Sequence, residues 1–322
     1  MMHYRNKPVL LALLLLFRLL PEAGAVAAAP DRGGDAILVV HGHTRAVTRF
    51  AETLADALRT DLPGRTLRRL PGLPGADGLR QAGLLLLVGS EALEAYRNSK
   101  PAQDVPALAL LVTRRRFERT WHTLSDRAHA HLTAIYIDQP PTRQFLLAVH
   151  AFPNRRRIGF LLTANTRPIL PLLRRLAERT GRRLVVRERA PGDRLVPAAE
   201  GLFGACDVFL ALPDPAVIDR TTLQPLLLTS YRYRIPVVAF NRAYVRAGAT
   251  AAIYTPLDGL VEETRLILES LSSGAASGLP PPRYSTHFRV AVNRQVARSL
   301  GIALPEVDVL ERAIHRWERE NR

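Results

Sequence analysis

The polar residues of this chain that could do chemistry stand singly, each just past an apolar run. His41 follows AILVV, Ser90 follows LLLLVG and Thr113 follows ALALLV; Thr163 and Asn165 follow IGFLL, Asp214 follows FLALP and Asn241 follows VVAF. Gln139 stands after AIYID, and Tyr254 lies in AAIYT. These are hydroxyls, amides, an imidazole and one carboxylate, groups that hold a ligand by hydrogen bonds. The sequence offers no Gly-x-Ser-x-Gly elbow, no P-loop and no zincin helix, so the main hydrolytic and phosphoryl-transfer readings lack their nucleophile, metal or phosphate cradle. His41-x-His43 and His129-x-His131 invite a metal, yet a metal site takes three or four convergent ligands, and neither cysteine nor further clustered histidine supplies them. No metal and no cofactor is expected. Ser, Thr, Asn and Asp also cap helices, which is an equally physical use for any one of these residues. As a set at strand ends they mark a cleft.

Asp214 stands out within the set. Pro213 and Pro215 fix the backbone on both sides of it, and a stiff loop suits a carboxylate that meets its partner in one geometry. A lone cleft carboxylate in a basic protein favours an amine or a hydroxyl-rich solute. The competing roles are a cap for the following helix and a salt bridge to one of the many arginines.

What must position these residues is an alternation of strands and helices. AILVV, LLLLV, ALALLV and AIYI form one group of apolar runs, with helical segments between them; TLRRL is a weaker strand candidate. IGFLL, RLVVRER, DVFLAL and IPVVAF form a second group with the same rhythm. Runs without alternation are strands buried on both faces, and strand-helix alternation implies right-handed crossovers and a parallel sheet in each half. The turning point is Ala134 to Thr163. There Pro140-Pro141 ends a strand and opens a helix with Phe145, Val149 and Phe152 on one stripe. Later, Leu260, Thr264, Leu268 and Leu271 form another stripe, SSGAASGLPPP reads as a linker and HFRVAV as a last strand. Asn293 caps a helix that Gly301 ends, and a final helix buries Val307, Leu310, Ile314 and Trp317.

With 322 residues, two units of roughly 130 to 150 residues are expected. Residues 1–27 read as a secretory signal peptide: Arg5 and Lys7 precede the apolar run Val9 to Phe17, and small residues at Ala23, Ala25 and Ala27 offer cleavage sites. The run is too short for a permanent span. Cys206 is the single cysteine, which excludes an intramolecular disulfide and leaves the exported chain to depend on its core. The net charge is +16, and loss of residues 1–27 lowers it by two. Nucleic acid is not expected, because the arginines are scattered, aromatics are few and the leader points out of the cytoplasm. An anionic membrane surface or an acidic partner fits the charge better.

Several stretches resemble a known family. AIYIDQPPTRQFLLAVHAFP with RRRIGFLL, LPDPAV, TSYRYRIPVVAF, AGATAAIYTPLDGLVEETRLIL and above all VNRQVARSLGIALP, with Asn293, Ala297, Leu300, Gly301, Ile302 and Pro305 in their spacing, are similar to ABC-transporter substrate-binding proteins of the tryptophan/tyrosine-binding type. The resemblance implies a fold like that of type I periplasmic binding proteins: α/β, two doubly wound parallel-sheet lobes, three crossings forming a hinge, and an interlobe cleft. On that plan lobe one holds residues 31–136 plus 256–283 and lobe two residues 137–255 plus 284–322. It further implies a periplasmic protein that holds a small organic solute without chemistry, with an ABC permease or another envelope protein as partner, and places Asp214 in the ligand region. Two other readings stand beside it: an envelope sensor or receptor-associated binding protein, and a two-lobed glycosyltransferase-like enzyme whose catalytic carboxylate would be Asp138 or Asp214.

Overall fold

The computed structural model describes residues 36–62, 64–219 and 221–321; the leader read in residues 1–27 lies outside them. The first half of the chain runs β1 (Ala36–His41), α1 (Arg45–Asp61), β2 (Leu67–Leu70), α2 (Ala76–Arg80), β3 (Ala82–Val88), α3 (Ser90–Arg97), β4 (Ala107–Val112), α4 (Arg114–Trp121), α5 (Asp126–His129) and β5 (Leu132–Tyr136). The second begins with α6 (Pro141–Ala151) and continues through β6 (Arg157–Leu162), α7 (Leu170–Arg179), β7 (Arg183–Glu188), α8 (Leu195–Phe203), β8 (Val208–Leu210), α9 (Leu223–Arg232), β9 (Val237–Ala239), α10 (Arg242–Ala247) and β10 (Ala251–Tyr254). Then come α11 (Leu257–Ser272), β11 (Arg283–Tyr284), β12 (Arg289–Val292), α12 (Arg294–Ser299) and α13 (Val307–Glu320).

These strands make two six-stranded sheets, ordered β2-β1-β3-β4-β5-β11 and β7-β6-β8-β9-β10-β12. The two orders are the same doubly wound plan, with the switch point between the first and third strands of each lobe. Burial on both faces explains the unbroken apolar runs. Along β1, Ile37 and Val39 enter the core shared with α1 and α11, while Leu38 and Val40 enter the opposite one, with α3 and α4. In lobe two, α6, α7 and α13 cover one face and α8, α9 and α10 the other. Cys206 is buried in the latter core, as its surroundings in the sequence imply. A methyl group on Gly159 would stand 2.7 Å from its Cβ, so β6 and α8 approach this closely because that position is glycine.

The chain passes between the lobes three times, at residues 137–140, 255–256 and 285–288, because α11 packs in the core of lobe one and β11 pairs with β5 before β12 joins β10. The last passage departs from the all-parallel expectation. β12 is antiparallel, pairing Ala251 with Val292 and Tyr254 with Arg289. Entering lobe two from the carboxyl ends of its strands, the segment can only run back along β10. α6 also exceeds the single stripe read from sequence, burying Arg143, Gln144, Leu146, Leu147 and Ala148 as well as Phe145 and Val149. The end of α12 agrees closely with the sequence reading: Asn293 accepts the Val296 N–H at 3.0 Å, and Gly301 takes φ 72°.

Candidate functional site

Three of the nine candidate residues form one cluster. Thr163 and Asn165 follow β6, Asp214 follows β8, and these strands flank the switch point of lobe two, where crevices open at strand carboxyl ends. Asp214 is 1% exposed. Its carboxylate accepts from Thr163 Oγ1 at 2.5 Å, from Asn165 Nδ2 at 2.6 Å and from the Ala216 N–H at 3.0 Å. Buried carboxylates require such donors, because an unpaired charge there costs several kcal/mol. The Asp214 carbonyl also accepts the Val217 and Ile218 N–H groups, so the residue is both the hub of the cluster and the start of the next turn. Arg189 steadies the loop by donating to Ala216 O at 2.6 Å.

The facing wall comes from lobe one. Thr113 caps α4 by accepting the Arg116 N–H, and Arg115, the second residue after that cap, brings Nη1 to 3.9 Å from Asp214 Oδ1. This placement is reached through a bulge. Leu111 adopts φ 54°, and the register of β4 on β5 shifts between Ala109 and Val112. An extra residue at the end of a strand re-aims the segment beyond it, here the Thr113 cap and the arginines of α4. Beneath them Asp138 Oδ1 accepts the Arg114 N–H at 2.8 Å. Burial pushes the Asp138 carboxyl up to about 6, against the backbone donors that favour its ionised form.

The remaining candidates are dispersed. His41 is 5% exposed, and its Nδ1 donates to Gly42 O at 2.8 Å, since a carbonyl can only accept. Ser90 is the exposed first residue of α3, and Asn241 is the exposed cap of α10, accepting the Ala243 N–H at 2.7 Å. Tyr254 is half-buried in β10. Gln139 belongs to the hinge: its Nε2 donates to Thr255 Oγ1 at 2.6 Å and to His287 O at 3.1 Å, and its Oε1 accepts from Arg143 Nη1 at 2.6 Å. One side chain thus touches all three crossings.

Sequence reasoning missed Arg115 and the bulge. Arg115 stands in a run of three arginines, which reads as a solvated face; its signal was its place two residues after a strand-ending threonine. Missed too was a concavity of about 500 Å³ on the flank of α4, walled by Phe117, Trp121, Tyr136 and Tyr284. None of the nine candidates lines it, and its Arg114 is held by Glu118 at 2.6 Å. Among the described residues no group of three or more His, Cys, Asp or Glu is arranged to hold a metal, and no helix is long and apolar enough to cross a membrane.

Solved structures share this architecture. A ligand-free, open substrate binding protein with adhesive properties from Clostridium difficile is 15% identical with a TM-score of 0.62, over 84% of this chain and 96% of that one. A conserved domain protein from Vibrio cholerae is 16% identical with a TM-score of 0.55, over 85% and 96%. An ABC domain from Streptococcus pneumoniae, solved in complex with L-Trp, is 14% identical with a TM-score of 0.54, over 85% and 96%. None of the curated proteins compared matches the sequence. The model of the ABC transporter substrate binding protein family matches residues 81–316, from β3 of lobe one through both cleft walls and the hinge to α13. The chain therefore belongs to the ABC transporter substrate-binding protein family.

Proposed function

We propose that the chain, exported and cleaved after its leader, binds a small organic solute between two lobes that close on it, and passes it unchanged to an ABC permease. The moving bodies on this reading are residues 31–136 with 256–283 and residues 137–255 with 284–322. The observation that carries the proposal is the Thr163–Asn165–Asp214 cluster, set at the switch point of one lobe and faced by Arg115 of the other. Family membership supports binding without turnover. A carboxylate on one wall and a guanidinium on the other match a solute bearing both an ammonium and a carboxylate. Amino acids are accordingly the first compounds to try, and one solved structure of the same fold holds L-Trp.

Thermal denaturation of the exported form against a panel of amino acids tests this. A solute at a hundred times its Kd stabilises the folded state by about 2.7 kcal/mol, so a binder raises the Tm. Chemical conversion of a panel member, with no stabilised complex, would overturn the reading.

A further inference from the structure

We propose that the outer face of α9 and the turn after it is a docking surface for anionic phospholipid. Leu228, Tyr231 and Arg232 lie at i, i+3 and i+4, on one side of the helix, and Tyr233 and Arg234 are exposed in the turn that follows, Tyr233 with its ring 6.1 Å from that of Phe203. Leu228 is 62% exposed, Tyr231 47% and Tyr233 41%. Arg232 and Arg234 are exposed as well. Among the described residues neither has a carboxylate partner, and the same holds for Arg242 and Arg246 of the neighbouring α10. Many arginines elsewhere are paired, as Arg157 is with Asp207 and Arg265 with Glu262.

The charge asymmetry is built into the sequence: between Asp219 and Asp258 there is no acidic residue. Asp219 itself is occupied by Thr221 and Thr222. A surface with arginines and no acid of its own is complementary to a negative partner. The apolar component selects the membrane among such partners, because Tyr and Leu beside Arg insert their rings and branches at headgroup level while the cations meet phosphates. The proposal does not depend on which solute the cleft takes.

Arg234 supplies a second, independent mark. α9 ends with the Arg234 N–H on Tyr231 O at 2.9 Å and the Ile235 N–H on Ser230 O at 2.9 Å, the turn that usually places glycine at its left-handed position. At the end of α12 the same turn has Gly301 there. At the end of α9 the position is Arg234, with φ 57°. A cation stands where glycine would be less strained, and strain of this kind points to a use for the side chain.

The test is vesicle co-sedimentation of the chain from residue 28 onward, so that the apolar leader does not itself insert. Expected is retention on vesicles containing phosphatidylglycerol, loss on neutral phosphatidylcholine vesicles, and loss as salt is raised. Arg232→Ser and Arg234→Gly each lower retention about fivefold. Arg234→Gly does so while melting no lower than wild type, which separates lost binding from lost folding. Equal retention on neutral vesicles, or undiminished retention of the double variant, overturns the proposal. So does stronger retention on polyglutamate beads than on phosphatidylglycerol vesicles, which would assign the face to an acidic protein instead.

Discussion

Arg115 of lobe one reaches to 3.9 Å from Asp214 of lobe two, a direct charge contact between the two walls of the cleft. Asp214 is buried and Arg115 is 43% exposed at its side chain. The pair is long, and Arg115 is solvated, so its direct contribution falls below about 1 kcal/mol. If the lobes open and close as proposed, a contact of that size biases the two arrangements wherever they lie close in energy. Arg115→Gln is expected to shift the ligand-free protein toward the open arrangement, seen as a larger radius of gyration by small-angle scattering, with the Tm within about 2 °C of wild type. An unchanged scattering curve would remove Arg115 from closure.

The carboxylate of Asp214 is already committed to donors of its own lobe, so Asp214→Asn does more than delete a charge at the cleft. The new amide turns one donor toward Thr163, whose hydroxyl must rotate to accept it. Charged hydrogen bonds become neutral ones, a loss of about 1–2 kcal/mol. The Tm should fall by roughly 2–8 °C. A melting temperature equal to wild type, with solute affinity also unchanged, would show that Asp214 serves neither stability nor the ligand.

How much of this was legible in the sequence depends on the range of the interactions. Local chemistry was readable: Asn293 as a cap, Gly301 as a helix end, and unbroken apolar runs as strands of parallel sheets. What rests on residues far apart was not. Gln144 looks like a solvent-facing position on an amphipathic helix, yet it is buried and donates to Ala211 O at 2.7 Å, just past the end of β8, and to Val238 O at 2.9 Å, in the middle of the short strand β9. β11 has two residues after three prolines, too few for any periodicity to show, and exists because β5 offers an open edge. At the site, strand ends pointed to Thr163, Asn165 and Asp214, and these three side chains are hydrogen-bonded to one another through Asp214. Nothing local announced the Leu111 bulge, whose backbone is unfavourable for leucine and is maintained by the surrounding sheet.

Asp138 gives the protein a pH dependence of definite sign. Burial raises its carboxyl to about 6, above the unfolded value, so the folded state holds the proton more tightly than the unfolded one. Stability therefore declines as pH rises through the window between about 4 and 6, and the loss is complete above it. Asp138→Asn keeps an oxygen for the Arg114 N–H and removes the charge. It is expected to raise the urea midpoint at pH 7.5 and to leave it unchanged near pH 3.5. A variant that is less stable at pH 7.5 would mean that the ionised form is the one the fold favours.

Gln139 makes the hinge one unit. Its amide donates to Thr255 of the second crossing and to His287 O of the third, while its oxygen accepts from Arg143, which in turn donates to Ser285 O at 2.8 Å and to Glu318 Oε1 at 2.6 Å. Gln139→Met retains length and apolar volume but leaves these groups short of partners in a buried place, a cost of about 2–3 kcal/mol, or a Tm lower by roughly 4–12 °C. Loss of stability alone would not separate a hinge tie from an ordinary buried glutamine. The discriminating measurement is a double-mutant cycle with Thr255→Val, a residue 116 positions away in sequence. If the two crossings are tied through this contact, removing either partner abolishes most of the benefit of the other, and the coupling is about 1 kcal/mol. Urea denaturation of the four proteins measures it, and costs that add to within about 0.4 kcal/mol would show the crossings to be held independently.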